Sequence, residues 1–218
     1  MRGNARMTPA LATPFDPLAQ PQRLVEALLP LDAEPQGPAW NQDELADLVD
    51  VSALAPAAVL VGLVPREHGT SVLLTRRNDN MTKHAGQVSF PGGRIDAGDA
   101  SAIDAALREA FEEIALEASK IEPLGFLDPY TTITGYRVLP VVARVSPDYR
   151  AEPNPREVAE AFEAPLAPLL RGERIQCVEA MYKDRVRSIW EYGVGPHRIW
   201  GATAAMLVNF ARRLGLQI

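Results

Sequence analysis

The chain has 218 residues, 47% of them hydrophobic and 23% charged, with 22 Lys or Arg against 28 Asp or Glu for a formal net charge of −6. That balance supplies a packed core, excludes a wholly disordered chain and argues against a broad nucleic-acid surface, which needs a basic footprint. No apolar run approaches the ~18 residues of a membrane span, the opening residues lack the apolar stretch of a secretory signal, and the single cysteine, Cys177, excludes an intramolecular disulfide, so a reducing, cytoplasmic setting is expected.

Residues 1–20 are proline-rich and aperiodic and read as an arm. Leu24, Val25, Leu28 and Leu29 recur at helical spacing over 21–30. Asn41 with Glu44 has the spacing of a capping box, opening a second helix that runs to about Val51. Pro56 ends this region, so residues 1–55 are expected as an N-terminal extension and 56–218 as the main domain. The apolar run 57–64 and Ser71–Arg77, joined by a turn at 66–70, predict a hairpin. A long loop over 78–93 closes on Phe90-Pro91-Gly92-Gly93. A helix is predicted over about 100–118, then strands over 123–127 and 138–145 with a polar loop between them. A further helix is predicted over 155–163, with Pro155 in its first turn. Tyr182 and Val186–Tyr192 mark a late hairpin turned at Lys183-Asp184. The last helix covers about 200–214 and stops at Gly215; its Ala204, Leu207, Val208 and Phe210 suit either the core or a homodimer face. Strands mixed with helices in this order predict a layered α/β or α+β domain.

The chemistry is concentrated in Leu107-Arg108-Glu109-Ala110-Phe111-Glu112-Glu113-Ile114. At about 100° per residue, Glu113 falls about 40° to one side of Glu109 and Glu112 about 60° to the other, so the three carboxylates share an arc of about 100°. Ile103, Leu107, Phe111 and Ile114 fall on the opposite arc and are expected to pack. Like charges three and four residues apart repel, and a divalent cation would reverse that cost; hard oxygen ligands suit Mg²⁺ or Mn²⁺. A solvated acidic face is the competing reading. Arg108, four residues before Glu112, can orient that acid by an ion pair. Upstream lie the consecutive glycines Gly92-Gly93 and the cations Arg76, Arg77, Lys83 and Arg94. Glycine pairs allow close backbone approach to a ligand, and the combination points to metal-assisted attack on a phosphate.

These residues resemble the box of the Nudix hydrolases, G-x5-E-x7-R-E-U-x-E-E-x-G-U with U aliphatic. The core reads Arg108-Glu109-Ala110-Phe111-Glu112-Glu113. Asp99 stands where Glu is usual, Gly93 and Arg108 are separated by one extra residue, and Ala115 replaces the late Gly. Upstream, Leu73-Leu74-Thr75-Arg76-Arg77-Asn78, Thr82, Gly86 and Phe90-Pro91-Gly92-Gly93 are similar to the coenzyme A pyrophosphatase motif L-L-T-x-R-[SA]-x3-R-x3-G-x3-F-P-G-G, with Asn78 and Thr82 as the departures.

The resemblance implies an α/β/α sandwich with a mixed β-sheet, to which the reading of the chain adds an N-terminal helical extension and a C-terminal helix. It implies hydrolysis of coenzyme A or acyl-coenzyme A to 3′,5′-ADP and the corresponding 4′-phosphopantetheine. It assigns the catalytic core to Arg108, Glu109, Glu112 and Glu113, with Glu109 and Glu113 on Mg²⁺ or Mn²⁺ and Glu112 as a third ligand or as the holder of a metal water. Arg77, Arg76, Gly86, Phe90, Gly92 and Gly93 become the substrate contacts. The general base stays open among Glu112, Glu109 and Glu157. The expected partner is a small coenzyme A-like nucleotide, with no nucleic acid and no membrane, and a homodimer is permitted. The alternatives are ADP-ribose, NADH or another nucleotide as substrate, or a Nudix-fold binding module without turnover.

Overall fold

The computed structural model describes residues 15–81, 84–182 and 185–218. Two short helices come first, α1 (Pro21–Ala27) and α2 (Gln42–Leu45). The expected hairpin follows as β1 (Ala55–Arg66) and β2 (Gly69–Arg77), with Arg66 opposite Gly69. β1 is apolar on both sides because it is covered on both. Ala58, Leu60 and Val64 belong to one core, and Ala57, Val61 and Leu63 to the other.

The stretch predicted as loop over 78–93 is partly built into the sheet. β3 (Val88–Ser89) pairs with β2, and β4 (Gly92–Arg94) pairs with β1 through Ala58 opposite Gly93. Strands this short carry little periodicity, so nothing in the local pattern separates them from loop. The chain then enters α3 (Ala102–Ile114) and returns as β5 (Ile121–Phe126), β6 (Tyr130–Thr131) and β7 (Tyr136–Val145). β7 runs parallel to β1 and antiparallel to β5 and β6, which makes the sheet mixed.

The helix predicted over 155–163 is a strand, β8 (Val158–Pro165), paired antiparallel with β2. Its side chains alternate with the pairing, placing Phe162 opposite Leu74 and Glu160 opposite Arg76; the free edge of β2 overrides local helix propensity. After α4 (Leu166–Leu170), a second sheet is formed by β9 (Ile175–Tyr182), β10 (Arg185–Val194) and β11 (His197–Trp200). β9 and β10 form the late hairpin; its expected turn at Lys183-Asp184 lies outside the described residues. The final helix, α5 (Gly201–Arg213), buries Ala204, Leu207, Val208 and Phe210 in the chain's own core, so these residues are not a homodimer face. The result is an α/β sandwich, with α3 on one face of a mixed sheet and α4, α5 and the small sheet on the other. None of the helices among the described residues is long and apolar enough to cross a membrane.

The described part of the N-terminal segment is bound along this body. Leu29 bridges to Phe126, Arg137 donates to the carbonyls of Pro35 and Gly37 at 2.6 and 2.9 Å, and Glu34 accepts from the Ala102 N–H at the start of α3. Asn41 does not cap its helix. Its side chain instead pairs with the backbone of Thr131, at 2.8 and 2.9 Å, acting as a strand partner. Two buried backbone groups would otherwise go unpaired.

Candidate active site

α3 carries the carboxylates, and its ends explain its placement. Ser101 caps the N-terminus, accepting from the Asp104 N–H at 3.1 Å. Between the ends, the face that packs is made of Ala102, Ala105, Ala106 and Ala110 with Ile114. Small side chains bring the helix axis close to the sheet. The expected packing arc is therefore wrong in one respect: Ile103 and Leu107 only flank the core, and Phe111 is 58% exposed. The same rotation turns Glu113 inward, to 2% exposure.

Close approach places α3 over Gly93. A Cβ on Gly93 would fall 2.6 Å from Glu109 Cδ, so the glycine leaves the space that the Glu109 carboxylate fills. Gly92 has φ +154°, and a Cβ there would meet Val59 Cα at 2.6 Å.

Glu113 points into the same space. Its Oε1 lies 3.7 Å from Arg77 Nη1, and its Oε2 is buried without a hydrogen-bond partner. Burial pushes its carboxyl up to about 8; the Arg77 charge opposes this, and the Glu109 and Glu157 charges add to it. Burial also raises Glu109, against the opposing hydrogen bond from Arg108. Between the ordinary 4.5 and about 8, Glu113 is protonated in the folded metal-free protein and ionised when unfolded. That contribution to stability is complete below the lower value and is lost as pH rises through the upper one.

Arg108 organises the remaining acids. Its guanidinium donates to both oxygens of Asp99, at 2.9 and 3.0 Å, to Glu109 Oε1 at 3.0 Å, to Glu112 Oε2 at 3.0 Å and to the Arg94 carbonyl at 3.0 Å. Arg108 is thus a positioning residue, and Asp99 is the bidentate anchor that holds it. Glu112 is 51% exposed and drawn outward to Arg108. The three glutamates therefore do not converge, and among the described residues no three His, Cys, Asp or Glu side chains form a ready-made metal cage. Glu109 and Glu113 nevertheless fit a hard divalent ion. They are two inward carboxylates, one with an unpaired oxygen, and Mg²⁺ is commonly held by one or two carboxylates with water and substrate oxygens completing the shell.

The expected substrate contacts separate. Arg77, Gly92 and Gly93 lie with the carboxylates. Arg76 leaves β2 on the other face, as strand alternation requires, and binds Asp79 at 2.8 Å close to Gly86. Phe90 is buried in the core on that other face. Thr82 and Lys83 lie outside the described residues. His84 bonds Gln87 at 2.9 Å, and Cys177 is exposed and free. The roles of Asp99 and Glu34 were not legible in advance, since nothing local shows that their carboxylates reach α3.

Ala115 takes a left-handed conformation, φ 54°, ψ 28°, as the C-cap of α3. A side chain in that region costs about 1–2 kcal/mol, partly offset by about 0.4–1 kcal/mol of extra chain entropy in a glycine variant. Ala115→Gly is expected to raise the melting temperature by about 2–4 °C. A thermal melt with an unchanged or lower midpoint would count against this reading of the helix end.

Comparison with known proteins supports a family assignment. The model of the NUDIX domain matches residues 53–178. A relative from Enterobacter sp. (strain 638), named an uncharacterized Nudix hydrolase NudL, is 40% identical over 168 residues, covering 77% of this chain and 87% of its own length. Its namesake from Escherichia coli (strain K12 / DH10B) is 40% identical over 161 residues, covering 74% and 83%. Among solved structures, the Nudix hydrolase RenU from M. smegmatis matches at 25% identity and TM-score 0.45, covering 52% of this chain and 72% of its own. The NUDIX domain of Shewanella oneidensis NrtR, complexed with ADP ribose, matches at 23% identity and TM-score 0.43, covering 59% and 86%.

Proposed function

The chain belongs to the Nudix hydrolase family, and on that premise we propose that it cleaves the pyrophosphate bond of coenzyme A or an acyl-coenzyme A, releasing 3′,5′-ADP and the 4′-phosphopantetheine. The observation that carries the reading is the buried Glu109–Glu113 pair over Gly93, with one Glu113 oxygen left unpaired. Two carboxylates held out of water at such a cost are the natural seat of a divalent ion, and Nudix hydrolases work with one.

A divalent ion, Mg²⁺ or Mn²⁺, held by Glu109 and Glu113 would neutralise charge on the pyrophosphate and make a bound water acidic. The chain's own residues do the rest. Arg108, fixed by Asp99, holds Glu109 and Glu112 in place. Arg77, 3.7 Å from Glu113, offers a guanidinium fork to a phosphate oxygen. Glu112 is half in solvent, where it suits a water of the metal shell better than the ion itself. Of Glu112, Glu109 and Glu157, we take Glu157, whose charge is felt by both Glu109 and Glu113, as the base for the attacking water. The coenzyme A preference rests on the motif from Leu73 to Gly93.

The test is a panel of coenzyme A, acyl-coenzyme A, ADP-ribose, NADH and nucleoside triphosphates, incubated with Mg²⁺ or Mn²⁺ and resolved by chromatography. 3′,5′-ADP formed from coenzyme A faster than any other product supports the reading. Faster turnover of ADP-ribose or NADH replaces the substrate, and no turnover of any compound replaces the enzyme with a binding module.

A further inference from the structure

A cavity of about 360 Å³ lies on the other side of the sheet from α3, between the turn that precedes β3 and the start of β11. Arg76, Gly86, Gln87, His197, Arg198 and Trp200 are among its lining residues. Its size is that of a small-ligand site. Its side of the sheet follows from Arg76, which shares a face with Phe162 and the α5-side core while its neighbour Arg77 reaches Glu113.

The walls combine flat rings with guanidinium forks. His197 is stacked on Phe162, with centroids 3.9 Å apart and planes at 16°, which fixes that ring at the cavity wall. The Arg198 guanidinium lies 5.1 Å from the centre of the Trp200 ring. Each fork is held by a carboxylate, Arg76 by Asp79 at 2.8 Å with Glu160 at 4.0 Å, and Arg198 by Glu191 at 2.6 Å. Asp79 is 70% exposed, so it yields to a better anion at little cost in buried contacts. A phosphate dianion is such an anion, with two oxygens matched to a guanidinium fork. Rings beside forks suit a planar base joined to a phosphate.

The cavity is also within reach of the carboxylates. Val88 lines it and Gly93 lies against Glu109; five residues of chain span no more than about 18 Å. The two sites meet at the end of β2, where Arg76 faces the cavity and its neighbour Arg77 faces Glu113.

We propose that this cavity is a second subsite, holding the phosphorylated nucleoside arm of the substrate while its pyrophosphate lies at Glu109 and Glu113. The proposal rests on the pyrophosphatase reading above. The base lies against Trp200 and His197, and the ribose phosphate lies between Arg76 and Arg198.

The experiment is isothermal titration of the metal-free full chain with adenosine 3′,5′-bisphosphate, adenosine and inorganic phosphate, for the wild type, Arg76→Gln, Arg198→Ser and Arg198→Lys. The bisphosphate is expected to bind more tightly than adenosine or phosphate alone. Its affinity should drop about tenfold or more in Arg76→Gln and Arg198→Ser, the scale of a lost charged hydrogen bond. Arg198→Lys should fall between, since it keeps charge without the fork. Thermal melts check that each variant folds, and either variant alone suffices. Equal affinity in wild type and variants, or no binding by the wild type, overturns the subsite. The hydrolysis panel, and not this titration, decides the pyrophosphatase reading, so the two fail separately.

Discussion

Glu109→Gln is expected to lower turnover by about a hundred- to ten-thousand-fold while leaving the fold intact. Glu109 is one of two inward carboxylates over Gly93, and its charge is the part an amide removes. Loss of several kcal/mol of charge stabilisation at the reacting phosphate corresponds to that range at about 1.4 kcal/mol per tenfold. The shape is preserved, and Arg108 retains Asp99 and Glu112 as partners. The melting temperature should stay level or rise, because a largely buried carboxylate that burial disfavours has been neutralised. Steady-state kinetics beside a thermal melt checks both halves. Near-wild-type turnover would remove Glu109 from the site.

Gly93→Ala is expected to cost about a hundredfold in turnover without unfolding the chain. The added methyl would occupy the place of the Glu109 carboxylate, 2.6 Å from its Cδ. What must move is the far end of a flexible side chain, so the sheet survives and the carboxylate is displaced. Misplacement by about 1 Å is enough for a loss of this size. Gly98→Ala is the control, since a Cβ there meets nothing within 4 Å, and its activity should match the wild type. If Gly93→Ala is fully active, the carboxylate does not need the position the structure gives it.

Much of this was legible beforehand because it is contiguous. The Arg108–Glu113 run and the Phe90–Gly93 run are short, their spacing is fixed by one helix and one turn, and the hairpin before them is two apolar runs of strand length joined by a short turn. The failures were tertiary. The side of α3 that packs is lined by alanines, which a reading weighted by hydrophobicity passes over in favour of Phe111 and Leu107. That choice put all three glutamates on one exposed arc, whereas the structure turns Glu112 outward to Arg108 and Glu113 inward. Residues 158–165 look helical in isolation and become a strand because β2 offers an edge. Arg76 and Arg77, by contrast, are separated by strand alternation, which the sequence already shows, and the structure has only Arg77 beside Glu113.

The central claim is that Glu109 and Glu113 together hold a divalent ion, and its most direct test is manganese binding followed by electron paramagnetic resonance of the free ion. The carboxyl of Glu113, pushed up to about 8 by burial, must lose its proton to bind. The wild type should therefore take up manganese more tightly at about pH 8 than at about pH 6. Glu113→Gln should bind it weakly, with a smaller pH dependence. Equal affinity and the same pH profile in wild type and Glu113→Gln would contradict the account.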